Sequence, residues 1–230
     1  MVGAATVGAG VAGSASPGTS DNLNAPPTTL SEAVIPPILP GAWQGVQSHR
    51  RPLAYDVPID WTVLGSGLLT GFEWDDPSLP SGGDQVIFSG TAEGAHRTVE
   101  CHDFPDPTAA IGSNGGETDS TDTASIAAIN AGRWAAGAFA SAEGVLAEYT
   151  LSAATPLTAA GGLSGHLVRA DVTMPCGPGA AVVWVFSFPA PDLTGVYNVI
   201  IYADGGPAGT PEKLAVTMLQ TVRHSPVPAS

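Results

Sequence analysis

The densest group of residues that could do chemistry lies between His96 and Asp103. On a single strand, spacing by twos would bring His96, Glu100 and His102 to one face, and imidazole with carboxylate suits zinc or a similar ion. Cys101 would then point to the opposite face, which favours a disulfide over a metal ligand. Exposed His and Glu side chains beside a bridge need no ligand. We therefore expect no metal here, and a metal near His102 stays as the alternative.

A second group surrounds Ser164. The run Gly162-Leu163-Ser164-Gly165-His166 resembles a nucleophile elbow, but that motif requires glycine where His166 stands. We predict a loop between strands. No P-loop, dinucleotide fingerprint or EF-hand spacing occurs in the sequence, so no catalytic residue and no cofactor is predicted.

The two cysteines, Cys101 and Cys176, are far apart and form no zinc-type cluster. An even pair in an acidic chain rich in Gly and Pro suggests an oxidising compartment and one disulfide. The alternative is two buried free thiols in a cytosolic protein.

An acidic and aromatic stretch contains Trp74, Asp75 and Asp76 in a predicted loop. An exposed Trp supplies a large apolar area, so these residues form a candidate partner surface. The alternative is that Trp74 folds back onto the core beneath the loop.

The charge balance excludes one class of partner. The 230 residues include 7 basic and 21 acidic side chains, a formal net charge of −14. This charge repels phosphate backbones, so we expect no nucleic-acid partner. No apolar run reaches the roughly 18 residues of a membrane span, so none is predicted.

The first 47 residues differ in composition from the rest. Residues 1–16 are a weakly apolar tract of Ala, Gly and Val that ends like the cleavage region of a signal peptide, although no Lys or Arg precedes it. Prolines at positions 26, 27, 36, 37 and 40 favour extended backbone without a core. We predict an export-segment remnant and Pro-rich disordered tether over 1–47, a single α+β domain over 48–224, and a flexible tail over 225–230.

Periodicity places the elements of that domain. Residues 53–57 and 61–64 are predicted to pair as a hairpin, residues 85–90 to form another strand, and residues 118–141 a helix that buries Trp134. Four strands over 146–151, 166–174, 181–188 and 196–202 should form a meander, followed by a helix over 211–223.

Three short motifs in this order of elements carry a resemblance: Tyr55-Asp56-Val57-Pro58 with Trp61, then Arg133-Trp134-Ala135-Ala136, then Thr210-Pro211-Glu212. The chain resembles an actinobacterial cell-envelope domain family of unknown function and, beyond it, the α/β/α sandwich of PsbP-like proteins and LpqN-type mycobacterial lipoproteins. The resemblance covers roughly residues 50–224 and implies no catalytic residues.

The resemblance implies an α+β fold in which an antiparallel β-sheet, a hairpin plus a four-strand meander, packs with two main helices. It also implies Pro58 and Trp61 at the corner of the first hairpin and a Cys101–Cys176 bridge. Related proteins usually carry a lipidated cysteine or a membrane-spanning helix before the tether, and this sequence has neither.

Together these observations favour an exported or envelope-associated, non-catalytic binding domain, whose partner is an envelope protein or a lipid-like small molecule. An envelope hydrolase using Ser164 or a metal near His102 is the first alternative, and a structural surface protein is the second.

Overall fold

A computed structural model describes residues 34–48, 50–65, 69–74, 84–94, 108–117, 120–141, 145–175, 179–190, 195–205 and 210–225. In chain order their elements are β1 (Val34–Ile35), β2 (Trp43–Gln47), β3 (Leu53–Pro58), β4 (Thr62–Val63), β5 (Leu69–Trp74), β6 (Asp84–Glu93), β7 (Ala109–Glu117), α1 (Thr123–Ala138), β8 (Glu148–Leu151), β9 (Thr155–Thr158), β10 (Ser164–Thr173), β11 (Ala180–Pro189), β12 (Gly195–Asp204), α2 (Glu212–Gln220) and β13 (Arg223–His224).

Nine of the strands form one antiparallel sheet. Its order is β4-β6-β7-β12-β11-β10-β8, with β5 also paired to β6 and β9 also paired to β10. The predicted four-strand meander is present as β8, β10, β11 and β12. In β11, Val183 and Val185 lie in the core on one face, and Trp184 and Phe186 lie in the core on the other. Both faces of β11 are apolar because it lies inside the sheet, between β12 and β10, with a core on each side.

Helix α1 covers one face of the large sheet. Its Ala-rich sequence lets the backbone come close to the strands, and Trp134, which is fully buried as predicted, stacks on Tyr202 with ring centroids 5.9 Å apart. The helix is shorter than predicted and begins at Thr123, because Asp122 is the N-cap and accepts hydrogen bonds from the N–H groups of Ala124 and Ser125.

The opposite face of the large sheet is covered by α2 and by a four-stranded sheet of order β1-β2-β3-β13. Tyr55 and Val57 of the small sheet and Met218 and Leu219 of α2 are all buried in the core on this side. The large sheet therefore has apolar cores on both faces, one under α1 and one under the small sheet with α2.

Polar contacts also join the two sheets. Ser48 and Ser113 hydroxyls lie 3.0 Å apart, and the Tyr55 hydroxyl donates to Thr91 Oγ1 at 2.6 Å, all four side chains being buried. Arg51 Nη2 donates to the carbonyl of Gly115 at 2.6 Å. These bonds pair groups that would otherwise be costly to bury, and they fix the small sheet on the large one.

The predicted fold class is wrong. The described chain is mostly antiparallel β-structure in two sheets, and not an α+β sandwich of one sheet packed with two main helices. The two strands of the predicted first hairpin belong to different sheets, since β3 pairs with β2 and β13 whereas β4 pairs with β6. Pro58 and Trp61 instead form the turn that takes the chain from the small sheet to the large one, and Trp61 N donates to the Pro58 carbonyl at 3.1 Å.

Strand structure also begins earlier than expected. β1 and β2 lie within residues 34–47, which were predicted to be part of a disordered tether. The small sheet could not form without them, because β2 pairs with β3 along five residues. Residues 1–33 and 226–230, with the remaining predicted tether and tail, lie outside the described residues.

Candidate functional site

Most of the residues predicted to do chemistry lie outside the described residues. This applies to Asp75, Asp76, the cysteine pair Cys101 and Cys176, and the cluster around His102. Trp74 ends β5, but its side chain is not among those described. Within the described ranges, no group of three or more His, Cys, Asp or Glu residues could hold a metal ion. The disulfide and the Trp74 surface therefore stay predictions.

Ser164 and His166 stand two residues apart at the start of β10. The Ser164 hydroxyl lies 2.9 Å from Thr158 Oγ1, whereas His166 Nδ1 lies 2.7 Å from Thr123 Oγ1, so each contacts a threonine. Gly165 between them packs against β11 so closely that an added Cβ would lie 2.8 Å from Phe188 Cα. Ser164 thus begins a strand and does not occupy the sharp strand-to-helix turn of a nucleophile elbow.

His166 begins a row of polar side chains that crosses the large sheet beneath the first turn of α1. The strand registers pair His166 with Ser187, Ser187 with Asn198, and Asn198 with Asn114. Ser187 Oγ donates to Asn198 Oδ1, and Asn198 Nδ2 donates to Asn114 Oδ1 at 2.9 Å. Ser187 and Asn198 are buried, so this row satisfies its own polar groups and fixes the strand register.

The electrostatics beside this row come mainly from the helix cap. The hydroxyl and backbone N–H of Ser125 donate to the Asp122 carboxylate, and these hydrogen bonds lower the pKa of Asp122, with a smaller contribution from His166. Asp122 therefore caps the amino terminus of α1. Among the described residues, the only hydroxyl that bonds His166 is that of the buried Thr123. The described residues here include no accessible nucleophile paired with a base.

A group of exposed apolar side chains lies where β8 meets α1. Five large apolar side chains there are 39–57% exposed: Ile129, Val145, Leu146, Tyr149 and Leu151. We call this set the β8–α1 surface. Strand β8 meets α1 at Gly132, where an added Cβ would be 2.8 Å from the Tyr149 hydroxyl, and Ile129 is one helical turn from Gly132.

The backbone of β8 is exposed as well. Among the described strands β8 ends the order of the large sheet, and its residues Glu148 to Leu151 are all exposed. An edge strand carries unpaired N–H and C=O groups that can pair with another chain. The β8–α1 surface therefore combines exposed apolar area with an open strand edge.

The sequence indicated parts of these sites. His166, Ser187 and Asn198 are polar residues at strand positions that alternate with apolar ones, a pattern that could have marked the polar row before the structure was known. Ile129 is a large apolar residue of the predicted helix, yet it is 55% exposed. It lies five positions from Trp134, about 140° around the helix at 100° per residue, so the face that buries Trp134 turns Ile129 toward solvent.

Together, the sheets and the surface define a class: a two-sheet antiparallel β-protein with an open strand edge beside one covering helix. The chain belongs to the DUF8017 family, a domain of unknown function, whose family model matches residues 35–227. The expected membership of an uncharacterised domain family is thus confirmed. The match begins within β1 and extends beyond β13, so it takes in both sheets. A search of curated proteins found no match.

Proposed function

We propose that this protein is an exported, envelope-associated domain that binds a protein partner without catalysing a reaction, and that the β8–α1 surface is where it binds. The observation that carries the proposal is the joint exposure of Tyr149 and Leu151 on a strand at the edge of the sheet. Tyrosine is enriched among the residues that supply most of the binding energy at protein interfaces, and Leu151 adds apolar area beside it.

The sequence supports the exported location. The signal-like tract, the Pro-rich segment and the cysteine pair are features expected of an exported protein. Neither described helix is long and apolar enough to cross a membrane. Intact mass after alkylation tests the location: two blocked thiols should appear only after reduction, and alkylation of Cys101 and Cys176 without reductant would remove this support.

Comparative capture from an envelope extract tests the binding surface. The full-length protein and its Tyr149→Ser/Leu151→Ser variant are immobilised, and the retained proteins are compared by quantitative mass spectrometry. A specific partner should be depleted about tenfold or more with the variant, because its apolar anchors are gone. Ile59→Ser is the matched control, since Ile59 is 61% exposed in the turn after β3, on the other side of the large sheet from α1.

The two outcomes separate clearly. Depletion with the double variant but not with Ile59→Ser supports the surface. Equal retention of every protein by all three proteins would overturn it. Urea unfolding of each variant verifies that it is folded; both substituted residues are about two-fifths exposed, so little stability should be lost.

A further inference from the structure

We infer that β8 accepts a strand: the partner at the β8–α1 surface docks as an extended segment along β8, with apolar residues alternating with basic ones. This inference rests on the proposed binding function and adds the partner's backbone conformation and charge. Three features of the structure carry it, namely the hydrogen-bonding pattern of β8, the contrast with β9, and the different chemistry of the two faces beside β8.

The first feature is the direction of the backbone groups in β8. Ser152 N donates to the Arg169 carbonyl at 2.8 Å, and the register pairs Leu151 with Ala170 and Tyr149 with Val172. Hydrogen-bonded pairs alternate with non-bonded pairs in an antiparallel ladder. Tyr149 and Leu151 therefore occupy the non-bonded positions, so their N–H and C=O groups point away from β10 and toward the open edge.

The second feature is the contrast with β9, which lies end to end with β8 along β10. Ala159 N donates to the Leu163 carbonyl at 2.9 Å, so the same alternation directs the backbone of Pro156 outward. Proline has no N–H, and it is a common device for blocking a strand edge. β9 is blocked in this way, whereas β8 offers two complete pairs of donor and acceptor.

The third feature is the chemistry on either side of β8. Toward α1, Tyr149 and Leu151 are apolar and exposed, and Tyr149 packs over Gly132 of the helix. Toward α2, Glu148 is exposed on β8, and Arg169 bonds the exposed Asp171 at 2.6 Å and Glu212 at 2.8 Å. These four side chains comprise three carboxylates and one guanidinium, so together they carry a net negative charge. Side chains of a docked strand alternate between the two faces, so apolar residues fit the α1 side and lysine or arginine fits the α2 side.

Short synthetic peptides test this directly. The probe alternates valine and lysine, and its matched control alternates valine and glutamate; binding to the full-length protein is measured by calorimetry at low and at physiological salt. We expect the lysine peptide to bind at least about tenfold more tightly than the glutamate peptide. Equal affinities would overturn the charge assignment.

Two further lysine peptides separate strand pairing from simple attraction to an acidic protein. One is N-methylated at every valine and the other at every lysine, and each modification removes the N–H groups along one edge of the peptide without changing its charge. Because a docked strand uses one edge, one series should lose about tenfold in affinity and the other should not. Equal effects of the two series, or no effect, would overturn strand pairing.

Protein variants give the reciprocal test. Leu151→Pro removes an outward N–H and should weaken the lysine peptide about tenfold, whereas Leu151→Val keeps that N–H and should change affinity by less than about twofold. The N-methyl series keeps the inference falsifiable if Leu151→Pro fails to fold. A concentration-dependent dimer of the parent that Leu151→Pro abolishes would assign the edge to a second copy and overturn the peptide assignment.

The two proposals can fail separately. If Tyr149→Ser/Leu151→Ser loses its captured partner while the N-methyl peptides bind alike, the surface stands and the strand mode falls. If the parent and the double variant also retain the same proteins, the binding function falls as well.

Discussion

Asp56 and Arg223 meet across 167 residues of sequence, with Arg223 Nη1 3.0 Å from Asp56 Oδ1. The Asp56 side chain is fully buried, and its other oxygen, Oδ2, accepts the N–H groups of Ile38 and Leu39 at 2.8 Å each. The carboxylate thus joins the segment after β1 to strand β13, and β3 lies between them.

Removing either partner of this ion pair should destabilise the protein. Arg223→Met leaves a buried carboxylate without its counter-charge, so we expect the free energy of unfolding to fall by about 3 kcal/mol. Arg169→Met is the matched control, because Arg169 bonds the carboxylates of Asp171 and Glu212 but all three side chains are 35–60% exposed, and it should cost less than about 1 kcal/mol. Urea unfolding measures the free energy of unfolding of both variants, and equal losses would contradict the burial of the Asp56–Arg223 ion pair.

Asp56 also predicts how much of the amino-terminal region the fold requires. A chain beginning at Ser48 lacks β1, β2 and the two N–H groups that Asp56 accepts. It should lose the cooperative urea transition that a chain beginning at Val34 retains, because buried Val46 is removed and β3 loses its five-residue pairing with β2. Equal transitions for the two chains would show that the small sheet does not need these strands.

Tyr55 should make stability fall at alkaline pH. Burial raises the pKa of this fully buried tyrosine above its ordinary value of 10.0. Above pH 10 the unfolded chain loses the phenol proton while the folded protein keeps it, so unfolding becomes more favourable as pH rises. This one group should lower the free energy of unfolding by about 1.4 kcal/mol for each pH unit above 10.

Tyr55→Phe provides the comparison for that slope. The variant should be less stable at neutral pH by roughly 1–3 kcal/mol, since Thr91 Oγ1 loses the donor that reaches it at 2.6 Å. Its stability should nevertheless depend less on pH between 10 and 11. Urea unfolding at each pH measures this, and parallel pH profiles for the parent and the variant would contradict the burial of this phenol.

Pro156 should protect the protein against self-association. Pro156→Val restores an outward N–H on β9 and continues the open edge of β8 along the same side of β10. We expect concentration-dependent association by light scattering that the parent does not show at the same concentration, because unpaired edge groups template strand addition. Thr155→Val is the control, since its N–H faces β10; association of both variants would attribute the effect to added hydrophobicity.

The strands that the sequence predicted best are those with strict alternation. In β10, Val168, Ala170 and Val172 alternate with Arg169 and Asp171, and the structure places the first three in the core and leaves the charged pair partly exposed. Alternation of this kind reports the environment of each side chain directly.

The pairing partners of the strands, and the strands without clear alternation, could not be predicted in the same way. β7 consists largely of Ala, Gly, Ser and Asn, which have low strand propensity, and it forms because β6 and β12 flank it. β1 and β2 adjoin prolines and were mistaken for tether. They are held by Asp56 and Arg223, whose proximity depends on long-range pairing that no local window contains.

The candidate site shows the same limit. A strand near Tyr149 was predicted, but its position at the edge of the sheet depends on the order of all the other strands. The face of the Ala-rich helix that meets the sheet decides that Trp134 is buried and that Ile129, about 140° away around the helix, is exposed.

The small sheet has a consequence for how the protein is presented to its surroundings. Val34 begins β1 and Ser225 follows β13, so both outer ends of the described chain belong to this sheet, on the side of the large sheet away from α1. A neighbouring domain or an affinity tag fused directly to Val34 or Ser225 would therefore lie on the side of the large sheet away from α1. Such a fusion would leave the α1 side of the large sheet, with Tyr149 and Leu151, accessible to a binding partner.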